Sequence, residues 1–329
     1  MAMKKLNFES EMKEAKKVSF FEKLNPARLK DVDWAKWKKK NLTLIGLGKF
    51  AWIILRFILI VGISFMILYP FLIKTVVAFM SPDDLLDKTV AFIARNRSTY
   101  FVERAMLNMN YWSSLLNSAI LSLIVAVCQL ITSSLVGYGF ARFNFKGKGL
   151  LFGLVILTLI IPSQTIMLPL FVRFRYFIGD LNLLNTFWPL AILSISGLGL
   201  KNGLYIFMLR QLFRGMPKEF EMSAYIDGAG PFKTFALIML PNALNMMLTV
   251  FLFSFTWQWT DFTYNKMLMA KMDILTNKVD DITRAVEDIM QQQALIDTAS
   301  LLIIFPLLII FLFAQRYFIQ SIERSGLVE

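Results

Sequence analysis

The chain has 329 residues, of which 57% are hydrophobic and 18% are charged, and its net charge is +12. Soluble domains carry nearer a quarter of charged residues, so this composition excludes an ordinary soluble protein and indicates a membrane protein. There is no histidine, and the single Cys128 has no second cysteine to pair with. With no P-loop motif either, we expect no catalytic site, no metal site and no nucleotide site in this chain.

The first 50 residues form a tail in which lysines alternate with acids. Within it, "DWAKWKKKN" places Trp34 and Trp37 three positions apart among lysines, which suits a short helix at the membrane interface against anionic lipid. A solvated tail without a docking role is the alternative. The basic residues lack an interleaved pattern of base-stacking aromatics, so nucleic acid is not an expected partner.

Six apolar stretches are long enough to cross a hydrocarbon layer about 30 Å thick as helices, which takes about 20 residues each. None alternates with the period of a barrel strand. We therefore predict an all-α, polytopic integral membrane protein with six transmembrane helices, at residues 52–78, 113–140, 149–172, 183–209, 240–262 and 299–320. The fourth span is expected to be loosely wound, because "SISGLGLKNG" (194–203) holds three glycines and Lys201.

The distribution of Lys and Arg predicts which side of the membrane each loop faces. Of these 35 residues, 21 lie in the two terminal tails and the 141–148 and 210–239 loops, against 10 in the three opposite loops. Both termini and the 210–239 loop are therefore expected in the cytoplasm. The resulting parts are a tail (1–50), a first span with its external loop (51–112), a membrane core (113–320) and a C-terminal tail (321–329).

Residues 216–241 form a polar elbow between two spans. Pro217 suits the first turn of a helix, and Glu219 and Glu221 follow where the helix dipole favours acids. Gly228 then ends the helix, because glycine readily takes the left-handed conformation of a C-cap. The pattern predicts a short cytoplasmic helix shaped to fit a groove of another protein, and a plain connector is the alternative.

The elbow "MPKEFEMSAYIDGAGPFKTFALIMLP" resembles the EAA loop of inner-membrane permease subunits of ABC importers, whose pattern is E-A-A, a short spacer, D-G-A, then I-x-L-P. Over about residues 108–328, the chain resembles the carbohydrate-uptake branch of this family, which includes the second maltose-type permease. The segments that carry this likeness, in chain order, are "LLNSAILSLIVAVCQLITSSLVGYGFARFNFKGKGLLF", "IIPSQTIMLPLF", "NGLYIFMLRQLFRGMPKE", "FTWQWTDF" and "AQRYFIQSIERSG".

This resemblance implies a type I ABC importer permease fold and a binding-protein-dependent transport system built from several chains. The present chain would form half of the translocation path, and a homologous permease would form the other half of a heterodimer. Two cytosolic ABC ATPases would bind ATP-Mg, and an extracytoplasmic sugar-binding protein would deliver a carbohydrate, with an oligosaccharide expected. The chain itself is then a non-catalytic subunit without a cofactor.

The resemblance assigns ATPase coupling to the elbow and to the C-terminal tail. The residues concerned are Glu219, Phe220, Glu221, Met222, Ser223, Ala224, Asp227, Gly228 and Ala229, with Glu323 and Arg324 in the tail. Aligned on Asp227, the glutamate of the family motif falls on Met222. Either Glu221 replaces that acid from about 100° around the helix, or docking relies on packing of Phe220, Met222 and Ala224.

Sugars are recognised by aromatic faces together with a few placed polar groups. The candidates for lining the substrate path are Trp257, Gln258, Trp259 and Asp261 in "FTWQWTDF", and Asn202, Lys201 and Gln164. For the first four, an interfacial aromatic belt is the alternative. The amphipathic segment within 263–298 is expected to be a docking helix or a lid over the pore.

Rival functions remain at this point. An ion-coupled secondary transporter would need internal repeats and buried acids near mid-membrane. An ABC permease for a substrate other than sugar shares the elbow. A membrane scaffold or enzyme lacks support, because the usual catalytic groups are missing.

Overall fold

The structure is a computed structural model that describes residues 44–87, 89–90 and 92–326. The predicted tail lies outside these residues except at its end. Two units, Met1–Pro70 and Phe71–Glu329, make up the chain, and the second contains every site described below. Over the described ranges the secondary structure is helical without a β-strand, and an isolated antiparallel bridge joins Met80 to Arg97.

The helices follow one another closely along the chain. In order they are α1 (Leu44–Ala78), α2 (Pro82–Leu86), α3 (Tyr100–Asn108), α4 (Tyr111–Arg142), α5 (Lys148–Ile160), α6 (Ser163–Arg175), α7 (Trp188–Ile195), α8 (Asn202–Gly215), α9 (Glu219–Ile226), α10 (Pro231–Thr234), a π-helical turn (Phe235–Met239), α11 (Leu240–Asn242), α12 (Leu244–Trp259), α13 (Thr263–Leu268), α14 (Leu275–Ala285) and α15 (Ile289–Gly326).

Three of the predicted spans are continuous helices, in α1, α4 and α15. The other three are divided. Helices α5 and α6 meet at 99° around Pro162, and the helical run Pro231–Asn242 meets α12 at 80°. The predicted span 183–209 becomes α7 and α8, separated by residues 196–201.

Proline and glycine explain these divisions. Pro162 disfavours the helical conformation of the preceding Ile161, which is extended with φ −64° and ψ 121°. In the 196–201 segment, Gly197 and Lys201 take positive φ values of 81° and 62°. Since a left-handed residue cannot continue a right-handed helix, the chain leaves α7 there and starts α8 in a new direction.

Helix α4 lies at the centre of the second unit and packs against α7, α8 and α12. Its buried face is rich in small and polar side chains, which let neighbouring backbones approach closely in a membrane. A Cβ atom at Gly137 would lie 3.1 Å from the Leu209 Cβ of α8. Close approach of α4 to its neighbours therefore sets the spacing of the core.

Helices α5 and α8 also cross closely, at Gly203. A Cβ atom at that glycine would lie 2.5 Å from Thr158 Oγ1 and 2.8 Å from the Val155 carbonyl oxygen. We predict that Gly203→Ala forces the two helices apart and destabilises the protein by roughly 1–3 kcal/mol, as overpacking does. The thermal unfolding temperature of the purified protein in detergent measures this effect.

The matched control is Gly153→Ala in α5, where an added Cβ would meet no heavy atom within 4 Å. That variant gains helix propensity without a clash, so its unfolding temperature should equal or exceed that of the parent. Equal stability of the two variants would contradict the close crossing.

Candidate functional site

The elbow contains a short helix, α9, that ends at a glycine C-cap. Gly228 has φ 75°, its N–H donates to the Tyr225 carbonyl at 3.1 Å, and the Ala229 N–H donates to the Ala224 carbonyl at 2.9 Å. These two bonds form a Schellman motif, which satisfies carbonyl groups left free at the helix end. The predicted helix and its glycine stop are thus present, followed by the turn into α10.

Glu221 of α9 points into the protein. Its side chain is buried, Tyr138 OH donates to Glu221 Oε1 at 2.7 Å, and Arg142 Nε lies 3.1 Å from Glu221 Oε2. Arg142 Nη2 also donates to the Met216 carbonyl at 2.7 Å. The elbow is therefore tied to the last turns of α4 by a buried acid, a buried base and a tyrosine, which we call the elbow tether.

Four large apolar side chains are exposed on α9 beside its polar residues. Phe220, Met222, Tyr225 and Ile226 are exposed, Ile226 to 86%, and Phe232 of α10 extends the same exposed set. Ala224, which the sequence grouped with Phe220 and Met222, is buried. Of the remaining coupling candidates, Glu219, Ser223, Asp227 and Gly228 are exposed and Ala229 is half-buried.

Met222 therefore occupies the position of the missing motif glutamate on the exposed face, and Glu221 faces away from it. Consecutive helical residues are separated by about 100°, so the two side chains serve different surfaces. The exposed surface made by Phe220, Met222, Tyr225 and Ile226 is called the docking face below.

The break between α7 and α8 is held in place by α4. Gln129 Nε2 donates to the Leu200 carbonyl and Thr132 Oγ1 donates to the Ile195 carbonyl, each at 2.9 Å. Ser254 of α12 in turn donates to Gln129 Oε1. Non-helical backbone within a membrane needs such partners, because lipid offers none. Gly199 is required here, since a Cβ atom would lie 2.5 Å from Gln129 Nε2.

A cavity of about 720 Å³ opens at this break and at the break between α5 and α6. Three of the predicted path residues, Gln164, Lys201 and Asn202, line it together. The Lys201 Nζ lies 5.1 Å from the centre of the Trp257 ring, so a fourth predicted residue contacts Lys201 but does not line the cavity. This volume suits a small ligand or part of a larger one.

The other three predicted path residues are engaged inside the fold. Trp259 is buried and its Nε1 donates to the Ile303 carbonyl at 2.9 Å, while Gln258 Nε2 donates to Asn265 Oδ1 at 2.9 Å. Asp261 Oδ2 accepts the Asn265 N–H at 2.9 Å. Along "FTWQWTDF", it is Trp257 that meets Lys201.

An ion pair that the sequence analysis missed joins Lys74 of α1 to Asp297 of α15. Each residue is a charge within an apolar helix. Two such charges of opposite sign were the signal from which the ion pair could have been predicted. Asp297 is thus paired with a lysine of the same chain. The tail candidates Glu323 and Arg324 lie in the last turns of α15, and their side chains fall outside the described part of the chain.

The amphipathic segment forms α14, whose apolar face is covered by this chain. Leu275 and Ile282 are buried in a cluster with residues of α3, α12 and α15, and Val279 packs against it. On the polar side, Lys278 Nζ lies 2.9 Å from Asp273 Oδ1 and Asp281 Oδ2, and bonds to these carboxylates raise the pKa of Lys278.

The fold and sequence both match known transport proteins. Residues 129–324 match the family described as binding-protein-dependent transport system inner membrane component. The chain is similar to the arabinooligosaccharides transport system permease protein AraQ of Halalkalibacterium halodurans, with 28% identity over 83% of this chain and 96% of that protein. It is also similar to the maltodextrin transport system permease protein MdxG of Bacillus subtilis, with 28% identity over 80% and 92%.

A solved structure with the same fold is a chain of a bacterial ABC transporter involved in the import of the acidic polysaccharide alginate. Its TM-score is 0.68 at 18% identity, covering 82% of this chain and 98% of that chain. The all-α membrane fold is therefore that of an ABC importer permease. Because the family match spans more than half of the sequence, the chain belongs to the inner-membrane permease components of binding-protein-dependent transport systems.

Proposed function

We propose that this chain is a transmembrane subunit of an ATP-driven importer of carbohydrates, and that its substrates are oligosaccharides. It would form half of the path beside a homologous permease and receive sugar from an extracytoplasmic binding protein. Both termini and the elbow would face the cytoplasm, where two ATPase subunits bind ATP-Mg. The oligosaccharide and maltodextrin permeases among its relatives support the substrate class.

The observation that carries this proposal is the elbow, with an apolar docking face outside and a buried tether inside. An exposed cluster of Phe220, Met222, Tyr225 and Ile226 on one short helix is the kind of surface that an apolar groove of a partner covers. We place the ATPase groove on this face. Docking would rest on packing, because Met222 stands where the family motif has its acid.

The elbow tether would carry the movement of the ATPase into the membrane. Arg142 and Tyr138 belong to α4, which packs against α8 and α12 beside the cavity. A displacement of α9 therefore acts on the helix that holds the broken span in place. ATP and sugar would then each favour one arrangement of the same helices, which is the requirement for coupling between distant sites.

Co-purification tests the assembly. The full-length chain, expressed with its neighbouring transport genes and purified in mild detergent, should retain a second permease and an ABC ATPase. Reconstituted vesicles should take up sugar only with ATP and the binding protein. Transport by this chain alone in the absence of ATP would contradict the proposal and favour an ion-coupled transporter.

The docking face can be tested by Ile226→Asp. A carboxylate placed in an apolar groove loses its hydration without a partner, so the amount of ATPase retained should fall about tenfold or more. Ile289→Asp is the matched control, because Ile289 is 78% exposed at the start of α15, outside the elbow. ATPase retention that is equal in the two variants would contradict docking on α9.

The elbow tether predicts a different defect for Glu221→Ala. Removing the acid leaves Arg142 buried without its counter-charge, which costs about 3–5 kcal/mol for a buried pair. We expect a lower unfolding temperature and ATP hydrolysis that continues with reduced sugar uptake. Tyr138→Phe removes one hydrogen bond to the same acid and should show a smaller loss, about 1–2 kcal/mol.

Glu287→Ala is the control, since Glu287 is an exposed glutamate outside the elbow, in the loop between α14 and α15. It should leave both the unfolding temperature and the ratio of uptake to hydrolysis close to those of the parent. A Glu221→Ala protein that couples normally would show that the tether does not transmit movement.

A further inference from the structure

The charges around the cavity at the two broken spans are all of one sign. Lys201 and Arg173 both line it, and none of its lining residues is acidic. Within the part of the chain that the structure describes, neither cation forms an ion pair, although Lys201 lies over Trp257 and Arg173 over the Phe177 ring. Two unpaired cations at one cavity repel each other unless an anion joins them.

Two helix N-termini add to the positive potential. Helix α6 begins at Ser163, beside Gln164, and α8 begins at Asn202, and all three residues line the cavity. Each helix has at least 13 residues, so each presents the positive end of its dipole to the cavity. The C-terminal end of α7 opposes this potential, and one of its carbonyls, that of Ile195, accepts a hydrogen bond from Thr132.

The side chain of Asn202 is an independent sign of a ligand. It is 1% exposed, lines the cavity, and neither its Nδ2 nor its Oδ1 has a hydrogen-bond partner. Both polar atoms are shielded in this conformation, and a buried amide without partners costs free energy, so a rotation toward the cavity that gains a hydrogen-bond partner is favourable. The amide can donate to an oxyanion and accept from a hydroxyl at the same time.

The backbone of Lys201 has an uncommon conformation. It adopts the left-handed conformation, with φ 62°, which is uncommon for a residue with a side chain. Such strain concentrates where a side chain must be aimed. Lys201 directly precedes Asn202 at the start of α8, and its ammonium group lies over the Trp257 ring.

We infer that this cavity binds a carbohydrate that carries an anionic group, a carboxylate or a phosphate. Lys201, Arg173 and the N-terminus of α8 would meet the oxyanion, and Asn202 would bond to the oxyanion or a neighbouring hydroxyl. Trp257, which lies outside the cavity lining, would hold the Lys201 ammonium from its ring face. This inference rests on the proposed function and narrows its substrate class. Half-helix N-termini at broken spans recur as sites for anionic groups in transporters.

Equilibrium binding to the full-length chain in phosphatidylcholine nanodiscs tests the inference without any need for ATP. The probes are trigalacturonate and maltotriose, which have the same number of rings and differ in charge, with glucose 1-phosphate as the phosphate probe. We expect trigalacturonate or glucose 1-phosphate to bind at least about tenfold more tightly than maltotriose, as a charge-assisted hydrogen bond provides. Whichever anion binds identifies the group that the cavity prefers.

The variants Lys201→Gln and Lys271→Gln remove the same charge at two places. Lys271 is exposed in the loop after α13 and does not line the cavity. The preference for the anionic probe should be lost in the first variant and kept in the second, and 1 M salt should weaken it. Asn202→Ala should lower the affinity of the anionic probe about fivefold or more.

Equal binding of neutral and anionic sugars, binding of neither, or a preference that survives Lys201→Gln would each overturn the inference. So would phosphatidylglycerol bound at the cavity in the parent protein and lost in Lys201→Gln, because that result assigns the cations to lipid. ATP-dependent uptake of a neutral sugar with no anion preference would leave the proposed function intact. Failure to retain an ATPase would instead contradict the proposed function, and the binding result would remain interpretable.

Discussion

The fold depends on one helix, α4, satisfying the backbone polar groups that its interrupted neighbours release. Gln129 and Thr132 donate to backbone carbonyls at the 196–201 break, and Arg142 donates to the Met216 carbonyl at the elbow. At its other end, Ser118 accepts the Leu275 N–H at 3.0 Å. Hydrocarbon cannot hydrogen-bond to exposed backbone, so breaks in spans are stable only where a polar helix supports them. The small and polar face of α4 is therefore what permits the elbow, the cavity and the start of α14.

This arrangement places the two candidate sites on a single support. The cavity lies at a break held by the middle of α4, and the docking face lies on a helix held by its last turns. A continuous, buried helix is stiff compared with the loops at either site. Movement at one end of α4 therefore displaces the residues that it binds at both the cavity and the elbow. This gives the proposed coupling a physical route through packed side chains and hydrogen bonds.

Much of the architecture was predictable from local pattern. Apolar runs located three continuous apolar helices and two bent helix pairs long enough to cross a membrane, and the Pro217 and Gly228 signals located the elbow helix, because these depend on residues within a few positions of one another. The direction of Glu221 was not predictable. Its partners Tyr138 and Arg142 lie 83 and 79 positions away, and only tertiary contact decides which face of a short helix turns inward.

The candidate path residues divide for a similar reason. Trp257 and Trp259 are two positions apart, so a helix turns them to opposite sides, and one meets Lys201 while the other bonds to Ile303. Composition alone suggested both. Asn202 and Gln164 were predicted together with Lys201 as path residues. They share a cavity because two separate helical runs break at the same place.

The opposed orientations of Glu221 and Met222 separate two selective pressures within adjacent codons. Substitution at position 222 alters an exposed surface, the one on which we propose that an ATPase docks, whereas substitution at position 221 removes the charged partner of Arg142. Under the proposed docking, a change of ATPase partner would act at the outer position and leave the inner contact untouched. Compatibility between subunits and integrity of the chain become independently evolvable traits of one helical turn.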